Sequence, residues 1–200
     1  LETLRDELRE AIEKSTTLEE YKDQLLLDIT PEGLRIQIVD AQNRPMFDLS
    51  GTQLKPYARE LLLEVGKYLA TVPNRITISG HTDETPFAGG GQNYTNWELS
   101  ADRANTARRT FKTAGLPDEK FARIIGMSSY VLIDDKNPRN PMNRRISIVV
   151  MTKQAEEAMR KTDNFDNPAK RTTNAPAPGA ARPVRPAGPA ANPAPPSPPR

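Results

Sequence analysis

Residues 75–83 read Arg-Ile-Thr-Ile-Ser-Gly-His-Thr-Asp, and this stretch decides the fold. Apolar and polar residues alternate over its first five positions and the alternation stops at Gly80, which predicts a β-strand that ends there. His81, Thr82 and Asp83 follow directly. Because α/β sheets usually present ligand-binding groups at the carboxyl ends of their strands, we expect a binding site just beyond this strand.

An amphipathic helix is predicted on each side of this strand. Upstream, apolar residues recur at helical spacing over residues 55–71, with Pro56 suited to the first turn. Downstream, a second apolar stripe covers residues 97–114 and ends at Gly115, a residue typical of a helix C-terminus. The intervening loop contains three consecutive glycines, but no Lys-Ser/Thr pair follows them, so the loop lacks the pattern of a phosphate-binding loop.

The remaining segments complete a layered domain. Short strands are predicted at residues 121–125 and 145–151, and a strand pair or a single bent strand at residues 25–40, around a Pro-Glu-Gly turn. A closing helix is predicted at residues 154–161. This order predicts an α/β (α+β) two-layer sandwich, in which helices cover one face of a mixed four-stranded sheet.

Composition divides the chain into three parts. Residues 1–24 show helical apolar spacing and predict an N-terminal helical segment, with capping-box spacing of Thr16 and Thr17 to the glutamates three residues on. Residues 25–164 hold the predicted domain. Eleven of the 19 prolines lie in residues 166–200. Because alanine and proline bury too little apolar surface to offset chain entropy, residues 165–200 are predicted to be a disordered tail.

The composition also excludes several classes of function. The chain has no cysteine and one histidine, which excludes disulfides, thiol catalysis and thiolate zinc sites. We expect no metal or cofactor. Residues 1–165 carry 23 basic and 25 acidic side chains, a balance that disfavours nucleic-acid binding. A glycoside hydrolase needs a pair of carboxylates at a defined separation or a metal site, but Asp83 and Glu84 would point to opposite sides of an extended segment. We therefore expect no enzyme.

Two charged residues predict the chemistry of the site. Asn96 and Arg103 are almost two helical turns apart and share a face, with Leu99 between them. Asp83 at the strand end and Arg103 on the helix would then meet in one cleft, where Asp83 binds the ammonium and Arg103 the carboxylate of a zwitterionic ligand. Two alternatives stay open, since Asp83 could cap its own loop or form a structural salt bridge with Arg103.

Two further residues also allow more than one interpretation. His81 fits a packed or backbone-bonded side chain better than a catalytic base. The run Asn143-Arg144-Arg145 at a strand start fits either a positive rim for an anionic ligand or the protection of an edge strand by charge.

Taken together, these motifs resemble the OmpA-like peptidoglycan-binding domain family. The resemblance covers roughly residues 34–152 and is carried by Thr82-Asp83, Asn96-x-x-Leu99-Ser100-x-x-Arg103-Ala104, Gly126 and Asn143-Arg144-Arg145-Ile146. More narrowly, His81-Thr82-Asp83-x-x-Pro86-Phe87 with Asn96-Trp97-Glu98-Leu99-Ser100 resembles the periplasmic part of flagellar stator proteins of the MotB family. The loop between Asp83 and Asn96 is longer than in many relatives.

The resemblance implies which residues bind ligand and what the ligand is. It implies non-catalytic binding of the stem peptide of peptidoglycan through its diaminopimelate residue. By motif position, Asp83 and Arg103 are the primary ligands and Asn96 and Leu99 line the cleft. The remaining positions that it implies are secondary contacts at Thr82 and Arg145 and an aromatic wall at Phe47.

The resemblance also implies a cellular role. The expected function is to anchor the flagellar motor stator to the cell wall, as the periplasmic domain of a single-pass inner-membrane protein whose transmembrane helix precedes this sequence. The implied partners are MotA, a second copy of the chain in a homodimer, and the P-ring of the flagellar basal body. Residues 1–24 would be a plug-proximal regulated segment or a simple structural helix. An outer-membrane or lipoprotein wall anchor is the alternative.

Overall fold

In the computed structural model of the chain, residues 1–48, 50–88 and 93–163 are described, apart from the side chains of Thr17 and Leu18. The predicted tail and the three consecutive glycines lie outside the described residues. No helix of the described part is long and apolar enough to cross a membrane.

The described elements alternate between helices and strands. In chain order they are α1 Glu2–Lys14, α2 Thr16–Glu19, β1 Leu25–Thr30, β2 Gly33–Val39, α3 Pro56–Thr71, β3 Ile76–His81, α4 Asn96–Thr113, β4 Phe121–Gly126, β5 Arg145–Met151 and α5 Lys153–Asp163. Short 3₁₀ turns cover Lys22–Gln24, Asp118–Lys120 and Pro141–Asn143.

The strands form one mixed sheet in the order β1-β2-β5-β3-β4. Only the β3–β4 pair is parallel; the other neighbours are antiparallel. The α+β sandwich is thus confirmed, but the sheet has five strands and the predicted count of four was wrong. The reason is local: Thr30 pairs directly with Gly33, so residues 25–40 form a tight hairpin and not one bent strand. Gly33 has a φ of 149°, which favours glycine.

Alternating residues of the three central strands face the helices. Leu34, Ile36 and Ile38 of β2 are fully buried, and the matching apolar positions of β3 and β5 complete the same surface. The predicted stripes of α3 and α4 pack onto this surface. α1 joins the same core through Leu4, Leu8 and Ile12, so the N-terminal helix is packed on the sheet domain in this structure.

The site depends on a close approach between β3 and α4. Gly80 lies so near α4 that a Cβ atom built on it would fall 2.0 Å from the carbonyl oxygen of Ser100. α4 begins with a capping box that the sequence interpretation missed: Thr95 Oγ1 accepts a hydrogen bond from the Trp97 amide, and Glu98 accepts one from the Thr95 amide. These contacts place the end of β3 against the first turns of α4.

Candidate functional site

A cavity of about 370 Å³ opens beyond the carboxyl end of β3. The structure brings together in its lining six of the seven residues that the sequence predicted for the site: Phe47, Thr82, Asp83, Asn96, Leu99 and Arg103. It adds three charged residues, Asp40 and Asp48, which the sequence did not indicate, and Arg144, from the run with two open interpretations. The cavity therefore combines three carboxylates and two guanidinium groups, and the ligand-binding roles of its residues remain predictions.

Arg103 is fixed by backbone carbonyl groups and an aromatic ring. Its Nε donates to the carbonyl oxygen of Gly51 at 2.9 Å and its Nη2 to that of Asp48 at 3.3 Å. The guanidinium carbon lies 4.7 Å from the ring centre of Phe47, in cation–π geometry. Among the described residues no carboxylate lies within 4.0 Å of Arg103, and its Nη1 donates to none of them. Arg103 is thus positioned, but its charge is not paired.

Two of the three carboxylates of the cavity share a different arginine. Arg144 donates from Nη1 to Asp83 Oδ2 at 2.7 Å and from Nε to Asp40 Oδ2 at 2.8 Å. Asp40 also accepts from the Met46 amide, and Asp83 from the Thr85 amide. The structural salt bridge between Asp83 and Arg103, left open by the sequence, is therefore not formed, whereas Asp83 does cap its own loop.

Burial sets the protonation behaviour of these groups. It raises the pKa of Asp40, against the opposing effects of the Met46 amide and Arg144. Burial likewise lowers the pKa of Arg103, an effect that the negative charge of Asp40 opposes. For Arg144 burial acts in the same direction, but its hydrogen bonds to Asp40 and Asp83 outweigh it and raise the pKa of this guanidinium. Besides these groups the lining holds Asp48, whose carboxylate is paired with Lys55 outside the cavity, so two negative and two positive charges remain when every group is ionised.

The uncharged residues complete the cavity wall. Leu99 is buried, and Asn96 donates from its side-chain amide to the Thr85 carbonyl at 2.9 Å, which ties α4 to the loop after β3. Thr82 is 2% exposed, and its Oγ1 has no hydrogen-bond partner among the described residues. The hydroxyl group is therefore buried at the cavity wall with its hydrogen-bonding capacity unused among the described residues.

Arg145 lies outside this cavity, although the sequence grouped it with the site. Its guanidinium donates to the side chain of Gln37 and to the carbonyl groups of Val131 and Asn143. The reason is strand parity: Ile146 faces the core, so Arg145 faces away from the helices and Arg144 shares the side of Ile146. The same alternation, read from the sequence, could have indicated Arg144 as the arginine on the site's side.

His81 is buried beside Arg145 and is not part of the cavity lining. It is 6% exposed, and its Nδ1 has no hydrogen-bond partner among the described residues, while the ring is hydrogen-bonded to the backbone of Val131. Burial, aided by the charge of Arg145, lowers the pKa of His81 to about 3. The expectation of a packed, backbone-bonded histidine agrees with this geometry.

This buried histidine predicts a loss of stability in mild acid. Between pH 6.5 and about 3 the unfolded chain binds a proton at His81 that the folded chain does not, so acidification favours unfolding. His81 lowers the free energy of unfolding by at most about 1.4 kcal/mol for each pH unit below 6.5, which is roughly 2 kcal/mol at pH 5. Urea unfolding of the chain and of His81→Gln at pH 7 and pH 5 measures this contribution.

His81 is the only histidine of the chain, so the comparison isolates it. The carboxylates contribute to both proteins alike. The stability of His81→Gln should therefore fall less between the two pH values. An equal fall in both proteins would show that His81 is protonated as readily folded as unfolded.

The fold and the cavity define a small α+β domain with a candidate binding cavity where a strand end meets a helix start. Residues 46–145, half of the chain, match the OmpA family, and the chain belongs to that family. Both resemblances predicted from the motifs are confirmed. Motility protein B of Escherichia coli (strain K12) is 45% identical over 159 residues, which cover 80% of this chain and 52% of that protein. The chain thus spans about half the length of the curated relatives it matches.

Solved structures show the same fold. The periplasmic domain of Helicobacter pylori MotB aligns with a TM-score of 0.57 at 18% identity, over 78% of this chain and 96% of that one. The cell wall anchor of the T6SS from Pseudomonas aeruginosa aligns with a TM-score of 0.54 at 22% identity, over 68% and 94%.

Proposed function

We propose that this chain binds the stem peptide of peptidoglycan without cleaving it, and so anchors a flagellar motor stator to the cell wall. The observation that carries the proposal is the charge arrangement of the cavity. Arg103 presents an unpaired, pre-positioned guanidinium to the same space that Asp83 lines. The free end of diaminopimelate carries one carboxylate and one ammonium group, which match these two side chains.

The balance of charge favours a zwitterion over a simple anion or cation. Arg144 already neutralises much of the charge of Asp40 and Asp83, so the cavity attracts a carboxylate chiefly through Arg103. Each oxygen of Asp83 accepts one hydrogen bond within the protein and keeps a further lone pair for an ammonium group. A ligand with both charges thus leaves neither Asp83 nor Arg103 unsatisfied.

The same geometry favours binding without cleavage. A glycoside hydrolase places the scissile bond between two carboxyl groups, of which one is a protonated acid. Here the guanidinium of Arg144 occupies the space between Asp40 and Asp83 and bonds to both. In the part of the chain that the structure describes, no three acidic or histidine side chains cluster as metal ligands would.

The relatives support the cellular part of the proposal. The 45% identity to Motility protein B supports a stator role in motility, and the MotB periplasmic fold supports a periplasmic location. By extension we propose an inner-membrane anchor in the full-length protein, assembly with MotA, a homodimer, and contact with the P-ring of the basal body. The alternative of an outer-membrane or lipoprotein anchor is not favoured by these relatives.

Binding to purified peptidoglycan sacculi tests the proposed function. We expect the chain to sediment with insoluble sacculi and to be displaced by soluble muropeptides, because the cavity is matched to the stem peptide. We also expect no soluble fragments above those released by heat-denatured protein. A chain that stays in the supernatant would contradict the binding, and release of soluble muropeptides would contradict the absence of catalysis.

A further inference from the structure

A second depression lies along α4, beyond the cavity, and carries positive charge. Its lining, which we name the α4 groove, consists of residues 52–54, Arg59 of α3, and Thr106, Arg109, Thr110 and Thr113 of α4. Two guanidinium groups and no carboxylate are among these residues. The groove therefore favours an anionic group.

The two arginines of the α4 groove lack the partners that neighbouring cations have. On the same helix, Arg108 and Lys112 both pair with Asp118. Arg59 and Arg109 are exposed and form no ion pair with any carboxylate of the described residues. Arg109 is nevertheless held over the groove, because its Nη2 donates to Thr106 Oγ1 at 2.7 Å. Arg59 also lines a neighbouring depression, together with Glu60, Glu64 and Lys67 of α3.

The α4 groove lies next to the cavity, on the other side of the turn that bonds to Arg103. Arg103, Thr106 and Thr110 follow one another at three- and four-residue spacing, so they lie on one face of α4. The two depressions are separated by the turn whose carbonyl groups accept hydrogen bonds from Arg103. Arg109 is six residues beyond Arg103, which is about 9 Å along the helix axis and roughly a third of a turn around it. The side chain of diaminopimelate and the one residue that follows it in a stem tetrapeptide together span about 9 to 10 Å when extended.

We propose that the α4 groove binds a second carboxylate of the stem peptide whose diaminopimelate end occupies the cavity, an inference that rests on the function proposed above. The carboxyl terminus of the stem peptide is a group of the right charge at that distance from the free end of diaminopimelate. Arg59 and Arg109 donate charge-assisted hydrogen bonds to it. The groove thus makes the site prefer stem peptides with a free carboxyl terminus.

Two synthetic peptides test this preference. The first is a diaminopimelate-containing stem tetrapeptide with a free carboxyl terminus, and the second is the same peptide ending in a carboxamide. We expect the chain to bind the acid about 5 to 20 times more tightly than the amide by calorimetry, since exposed pairs each add modestly to affinity. Arg59→Gln with Arg109→Gln should bind both peptides as the unchanged chain binds the amide.

A matched variant removes the same charge elsewhere. Arg9 and Lys153 are exposed on α1 and α5, and Arg9→Gln with Lys153→Gln should keep the full preference for the acid. Equal affinity of the unchanged chain for the two peptides, or a preference that survives the loss of Arg59 and Arg109, overturns the inference and leaves the proposed function standing. If the unchanged chain binds neither peptide nor sacculi, the proposed function fails, and the groove's role with it.

Discussion

Replacing Arg144 by Met is expected to lower the free energy of unfolding by about 3 to 5 kcal/mol. Arg144 bonds to two carboxylates at once, and both are nearly inaccessible to solvent, Asp40 at 3% and Asp83 at 5% exposure. Its removal leaves two buried negative charges with no ion-pair partner among the described residues, opposed only at longer range by Arg103. Urea unfolding at pH 7, followed by circular dichroism, measures the loss.

Two comparisons separate this charge effect from the loss of a long side chain. Arg139 is exposed and forms no ion pair with a described residue, so Arg139→Met should change stability by less than about 0.5 kcal/mol. Adding Asp40→Asn and Asp83→Asn to Arg144→Met should restore much of the lost stability, because the stranded charges are then gone.

The same variant has a predicted pH dependence. Burial already raises the pKa of Asp40, and the loss of Arg144 removes an effect that lowers it. The carboxylate therefore binds a proton more readily in the folded variant than in the unfolded chain, so acidification relieves the destabilisation. The deficit of Arg144→Met relative to the parent should be smaller at pH 4.5 than at pH 7. A deficit that is small at pH 7, or that grows in acid, would show that Arg144 does not compensate these carboxylates.

Local sequence patterns were sufficient to predict most of the fold. The alternation in β3 and the apolar stripes of α3 and α4 depend on neighbours within a few residues, and each was placed within two residues of its observed bounds. The hairpin of β1 and β2 was ambiguous because both halves are apolar and the turn between them is short. The pairing of Thr30 with Gly33 resolves it into two strands, and β2 then also pairs with β5, more than a hundred residues away.

The site was predictable only as far as helix and strand geometry determine it. The shared face of Asn96, Leu99 and Arg103 follows from helical spacing, and all three line the cavity. Asp40 ends a separate strand segment, and its bond to Arg144 joins residues 104 positions apart, which no local pattern reveals. The position of Arg144, in contrast, could have been predicted. Side chains alternate along β5, so Arg144 lies on the same side as Ile146 and Arg145 on the opposite side. Sequence spacing thus located the cleft but not its ion-pair network.

Replacing Arg103 by Lys is expected to weaken binding to sacculi by about 10 to 150 times, while Arg103→Ala weakens it further. Lysine keeps the charge but not the planar fork that can bond to both oxygens of a carboxylate. Arg103 has no carboxylate partner within the described residues, so its removal strands no buried charge in the protein. Arg103→Ala should therefore cost only about 1 to 3 kcal/mol of stability, from the lost bonds to the carbonyl groups of Gly51 and Asp48 and the contact with Phe47.

Arg103 and Arg144 are thus expected to differ in kind, one acting on binding and the other on stability. Sedimentation with sacculi at a temperature where every variant is folded, together with urea unfolding, measures both quantities. Arg9→Lys, on the exposed side of α1, makes the same chemical change away from the cavity and should alter neither. Two results together would contradict the assignment of Arg103 to ligand binding: a large loss of stability in Arg103→Ala and unchanged affinity in Arg103→Lys. The guanidinium would then stabilise the turn that it bonds to and would not bind a ligand.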